Sequence, residues 1–161
     1  FEGTLMKKLI LLTVTHLLFA IAGFVVGIYA LPILTAPAAP SDAEMTFATE
    51  NTEFKGQFRR DLKGSDFLHW GEGEISVGRE FISLQGKIAP GPDYKLYLSP
   101  EFVETESDFA RLKPRMVRVG DVKTFKNFIV PVPESINPGE FSTAIVWCES
   151  FSEFITAATY K

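Results

Sequence analysis

Cysteine is almost missing from this chain: Cys148 is the only one in 161 residues. An intramolecular disulfide is therefore excluded, and so are zinc sites built from several thiolates. Histidine is nearly as scarce, with His16 and His69 alone, and no HExxH helix can be written. The sequence contains no P-loop, no dinucleotide-binding glycine fingerprint and no GxSxG elbow. Positive charge is not in excess. Sixteen basic against 20 acidic residues leave a net charge of -4, so the basic patch that nucleic acid requires is lacking. The acidic residues are scattered and mark no carboxylate pair. No conventional catalytic constellation stands out, and whether the chain is an enzyme stays open.

What the chain does have is a long apolar run near its start. Leu9 to Leu34 reads LILLTVTHLLFAIAGFVVGIYALPIL, without a carboxylate, Lys or Arg. A bilayer core needs about 20 apolar residues as helix, and Leu9–Leu31 supplies 23. Residues 9–34 are expected to form a transmembrane signal-anchor. Tyr29 stands near its outer end as an interfacial aromatic, and Pro32 marks its exit. Met6-Lys7-Lys8 reads as a natural start, with Phe1–Leu5 upstream of it, and residues 1–8 are expected on the cytoplasmic side. Lys7 and Lys8 precede the run, whereas Asp42, Glu44, Glu50 and Glu53 follow it with no base before Lys55. The positive-inside rule then places the remainder outside, periplasmic or extracellular, on a single-pass inner or plasma membrane protein. A cleaved signal peptide is the rival reading, since Ala36-Pro37-Ala38 has a small-x-small pattern. Signal peptides carry apolar cores of about 7–15 residues, so length favours the uncleaved anchor. Either reading exports the rest.

Two features inside the run have alternative meanings. Gly23-x-x-x-Gly27 allows close helix approach, but glycine is common in membrane helices. His16 is an ionisable group that could serve a haem or a proton path; a neutral, locally satisfied imidazole is the reading favoured, as no second ligand is visible in the span.

Residues 35–53 form a Pro/Ala-rich linker. Its TAPAAPSDAEMTFATEN stretch suggests a stiff, extended spacer holding the following domain off the membrane. Residues 54–161 carry short alternating apolar runs broken by turn signals, the pattern of an all-β sandwich or barrel. Strands are expected at Phe54–Phe58, Trp70–Val77, Phe81–Ile88, Tyr94–Ser99, Met116–Val119, Phe125–Val130, Phe141–Cys148 and Phe154–Tyr160. Turns are expected at Gly78-Arg79-Glu80, Ala89–Asp93 and Gly120-Asp121, with one short helical turn between Glu101 and Pro114. Arg59-Arg60 reads as a solvated strand edge.

His69, Trp147 and Cys148 remain as candidate functional residues. Strand alternation puts Ala144, Val146 and Cys148 on one face and Ile145, Trp147 and Glu149 on the other. Free cysteine often behaves as a small hydrophobe, and nearby Glu149 is expected to raise the thiol pKa; both favour a packed, inert thiol. Trp147 reads as a packing residue. His69, at a strand entry, is either simply hydrogen-bonded or pairs with Cys148 as a ligand to haem or copper.

Several motifs occur together: Gly56-Gln57-Phe58, His69-x-x-x-Gly73, Phe81-x-x-Leu84, Gly91-Pro92-Asp93-Tyr94-x-x-Tyr97-Leu98-Ser99, Gly120-Asp121-Val122-Lys123, Phe128-x-x-Pro131 and Ala144-Ile145-Val146-Trp147-Cys148. In this combination the chain resembles the DM-thirteen domain, over about Phe54–Tyr160, in a bacterial form with one N-terminal span. The resemblance implies a compact β-sandwich-like module. In animals such domains accompany DOMON domains and cytochrome-b-type membrane electron carriers, as in Skeletor-type proteins, which implies electron transfer at the cell surface. It also implies that Cys148 is the redox residue, as a naked thiol or as a ligand to a group such as haem; the pairing read above from the residues adds His69 as the candidate second cofactor-binding residue. The implied partners are the membrane and either a membrane electron carrier or an envelope protein. The alternative is a non-catalytic structural or binding module of the envelope, with Cys148 merely packed and the loops at Pro90–Asp93 and Pro133–Glu140 as its contact surface.

Overall fold

The computed structural model describes residues 2–161. Phe1, where the expected cytoplasmic start opens, lies outside the described residues. Helix α1 runs from Glu2 to Thr35 and is exposed along almost its whole length. It is long and apolar enough to cross a membrane.

The part after the spacer folds as expected into two antiparallel four-stranded sheets. One is ordered β1-β2-β3-β6, with β1 Thr52–Phe58, β2 Gly71–Gly78, β3 Phe81–Ile88 and β6 Lys126–Pro131. The other is ordered β5-β4-β7-β8, with β4 Tyr94–Ser99, β5 Val117–Val122, β7 Thr143–Cys148 and β8 Glu153–Thr159. The sheets stack as a sandwich, with β1 against β8 at one edge and β6 against β5 at the other. Alternation decides what fills the space between them. Ile75 and Val77, Ile82 and Leu84, Leu96 and Leu98, and Ala144 and Val146 all turn inward and are fully buried.

The second sheet is covered on its outer face too. Helix α3, Glu106–Leu112, is capped by Thr105, whose hydroxyl accepts from the Asp108 N–H. Its Phe109 and Leu112 form a second core with Tyr97, Ile145, Trp147 and Phe154. Phe109 stacks on Trp147 with centroids 3.7 Å apart and planes 4° from parallel, and meets Tyr97 edge-on at 5.2 Å. All six residues of β7 are consequently buried.

Three expectations need correction. Gly120-Asp121 is not a turn but lies inside β5, pairing with Leu96 and Lys95 across a register shift; the chain turns after Val122 instead. Arg60 is not merely solvated: its guanidinium lies 3.4 Å over the Trp70 ring and forks onto Glu72 at 2.8 and 2.9 Å. The segment expected as an extended spacer contains helix α2, Asp42–Thr49, begun by a capping box between Ser41 and Glu44. Its Met45 and Ala48 are buried, and its Phe47 packs edge-on against Phe81 at 5.7 Å. Pro37–Pro40 run beside Gly120–Thr124 and Phe128–Pro131. The spacer thus lies along the sandwich wall, and the end of α1 and the 91–95 loop line one shared cleft.

One pairing constrains β2 closely. Gly73 has φ of +123° and faces Gly86 across the ladder; a Cβ on Gly73 would stand 2.3 Å from the Gln85 carbonyl oxygen. Gly73→Ala is expected to destabilise the domain by at least about 1–3 kcal/mol, the usual cost of a side chain in such a backbone region. Phe109→Ala is expected to cost about 3–5 kcal/mol, because it empties the centre of the outer core. Urea unfolding followed by tryptophan fluorescence measures both.

Candidate functional site

Cys148 ends β7 on the inner face, where alternation put it, with Tyr94 of β4 and Glu153 of β8 as its cross-strand partners. It is 3% exposed. Burial pushes its thiol pKa up, and the Asp93 carboxylate adds to this. The expectation that Glu149 would do so fails in its cause: Glu149 lies on the opposite face, where it accepts from the Tyr97 hydroxyl and pairs with Lys113 at 3.3 Å. The backbone amides of Phe151, Asp93 and Ser150 near the sulfur work in the other direction, favouring thiolate. Burial outweighs them.

The turn around the sulfur is tied to the GPDY segment. The Asp93 carbonyl accepts from the Glu149 N–H at 3.0 Å, and its carboxylate accepts from the Ser150 hydroxyl at 2.9 Å. Lys95 stands 2.7 Å from Asp93 and holds its carboxyl below the usual range. Gly91 is needed because Tyr94 lies against it: a Cβ there would be 2.3 Å from the Tyr94 hydroxyl. The motif read in the sequence as a loop signal is therefore the clamp that shapes the surroundings of Cys148.

His69 is held from below by Asp66. One carboxylate oxygen accepts from the Leu68 and His69 N–H groups at 2.7 and 2.8 Å, and the other meets His69 Nδ1 at 3.0 Å. An Nδ1–H directed at a carboxylate leaves Nε2 as the free acceptor of the ring. Asp66 went unremarked in the sequence; its signal is the Asp-x-x-His spacing.

The structure brings both candidates together. His69 and Cys148 line one cavity of about 240 Å³, with Tyr94, Pro90–Pro92, Phe151 and Ile155. Leu68 and Glu153 line it as well, and one wall is the C-terminal part of α1, through Val25, Ile28 and Tyr29. His16 is elsewhere. It is 13 residues before Tyr29 in the same helix, about 20 Å away at 1.5 Å per residue, and its Nδ1 meets the Leu12 carbonyl at 2.7 Å. Trp147 points to the other face and stacks on Phe109.

A haem, which the resemblance implies, can be tested against this geometry. The donor types suit it, but the cavity is smaller than the roughly 300–1,000 Å³ of ordinary ligand and cofactor sites, and the thiol is neither exposed nor acidified. A tetrapyrrole does not fit here. Among the described residues no three of His, Cys, Asp and Glu gather in a way that could hold a metal ion.

The raised thiol has a measurable consequence. Alkylation of native Cys148 by iodoacetamide is expected to rise with an apparent pKa above the ordinary 9.0. Tyr94 and Tyr160 are likewise pushed above their usual 10.0 by burial. For all three the native state holds its proton more tightly than the unfolded chain. Their contribution is complete below about pH 9 and is lost as pH rises from there through the native values. The urea midpoint is expected to be lower at about pH 10.5 than at pH 8.

The comparisons with known proteins agree with this architecture. Residues 54–160 match the family described as electron transfer DM13, a span that runs from β1 to the end of β8 and takes in both His69 and Cys148. No curated protein and no solved structure matches the chain. With the matched segment covering the sandwich and well over half of the chain, the protein belongs to the electron transfer DM13 family.

Proposed function

We propose that this protein is a membrane-tethered electron-transfer module in which Cys148 is the redox centre and His69 its partner. The observation that carries this reading is that both residues line one cavity at the foot of the sandwich, although they are far apart in sequence. Membership of an electron-transfer family supports it. Helix α1 is the anchor of the module. Lys7 and Lys8 before it and the acidic residues after it support a cytoplasmic N-terminus and an exported, periplasmic or extracellular sandwich. The electron partner in this reading is a membrane electron carrier or another envelope protein.

A second reading rests on the burial of the thiol. At 3% exposure and with its pKa raised, Cys148 has the features of a packed core residue. The protein is then a structural or binding module of the envelope.

One comparison separates them. The full chain is examined by protein-film voltammetry, ultraviolet–visible spectroscopy and native thiol titration, beside Cys148→Ala and Cys148→Ser. The redox reading expects a reversible signal, or one thiol per chain reacting under native conditions, that disappears in both variants while circular dichroism is unchanged. The packing reading expects no signal in any of the three, and a loss of about 1–3 kcal/mol in Cys148→Ser from burying a hydroxyl among apolar neighbours.

A further inference from the structure

The cavity has an unusual position and an incomplete polar lining. One wall is the last part of the apolar helix, including Tyr29, so when α1 spans a bilayer the cavity lies at the boundary between hydrocarbon and water. Its other walls are largely apolar. Tyr94 is 4% exposed, lines the cavity, and has its hydroxyl beside Gly91, which lines the cavity too. That hydroxyl forms no hydrogen bond with any described residue, although the neighbouring Lys95 and Tyr97 side chains are both engaged. The ring is buried, but the hydroxyl oxygen is not sealed off: it opens onto the cavity, where it is free to donate. His69 supplies the complementary group: with Nδ1 held by Asp66, its part-exposed ring leaves Nε2 as an acceptor without a partner among the described residues.

These features define a ligand. It reaches the site from lipid, it carries a flat apolar body, and it bears oxygens at its edge for a phenol donor and an imidazole acceptor. The size is restrictive. An apolar cavity of about 150 Å³ takes one benzene ring, and about 240 Å³ takes a ring with two oxygens and small substituents. We propose that the cavity between α1 and the sandwich binds the head ring of an isoprenoid quinone or quinol, with the tail left in the bilayer. Tyr94 donates to one ring oxygen, and His69 Nε2 accepts from the hydroxyl of the reduced form. This rests on the reading of α1 as a membrane span, and it gives the electron-transfer reading a chemical class of partner. Cys148 lies beside Tyr94, on the strand paired with β4.

The test uses the full chain in phosphatidylcholine nanodiscs, titrated with decylubiquinone and its reduced form, with decylbenzene as the tail-matched control. Saturable binding of about one quinone per chain is expected, with no comparable binding of decylbenzene. Tyr94→Phe keeps the ring and removes the donor, and should weaken the oxidised form about 5–10-fold, the loss of one hydrogen bond. His69→Gln should weaken the reduced form more than the oxidised one. Binding is read on the unaltered chain, so a silent Cys148 in voltammetry sinks the redox reading and leaves quinone binding standing. The proposal is overturned by absence of saturable binding, or by decylbenzene binding as tightly as the quinone, which would make the cavity a seat for alkyl chains. Unchanged affinity in Tyr94→Phe and His69→Gln, with both variants folded by circular dichroism, overturns it equally.

Discussion

Burial of β7 on both of its faces is the constraint from which the rest of this structure follows. A strand covered on one side only would leave Ile145 and Trp147 in water. Here α3 brings Phe109 and Leu112 over them, while the opposing sheet covers Ala144, Val146 and Cys148. A strand so enclosed cannot slip, because a shift by one residue would exchange the two faces and drive Trp147 into the space made for Val146. The register of β7 against β4 therefore places Cys148 opposite Tyr94, and this pairing lies at the centre of the site.

The ends of those two strands are joined by polar rather than apolar forces. Asp93 receives hydrogen bonds from the 149–150 turn and is neutralised by Lys95, which also reaches Asp121 at 3.0 Å. Short polar ties of this kind contribute modestly to stability, about 1 kcal/mol each. Their value lies in direction. They hold the proline-glycine loop against the turn after Cys148, and the tight fit of Tyr94 under Gly91 leaves a defined cavity instead of a collapsed core. On the far side, Asp66 performs the same service for His69.

The anchor and the spacer enter the site in a way that a tether alone would not require. Capping by Ser41 and Glu44 turns the spacer into helix α2, and burial of Met45 and Ala48 fixes it to the first sheet. The chain between α1 and β1 is thereby shortened, and the end of α1 faces the 91–95 loop across a shared cleft. The outer turns of α1 supply a wall of the cavity as a result.

Much of this was determined by the sequence alone. Period-two alternation placed seven of the eight strands to within a few residues, because each must present one apolar face to the core. The uncharged run from Leu9 marked α1, since only a helix satisfies its own backbone in so apolar a stretch. Parity also assigned Cys148 and Trp147 to opposite faces. Tertiary structure decided the remainder. Gly120-Asp121 has turn composition, yet pairing with Lys95 and Leu96 draws it into β5, since ladder bonds outweigh local preference. Nothing local could show that Asp93 rather than Glu149 neighbours the thiol, or that Tyr94 and His69 line one cavity. Those facts depend on which strands lie side by side, and residues distant in the chain become neighbours only when the two sheets close over a shared core.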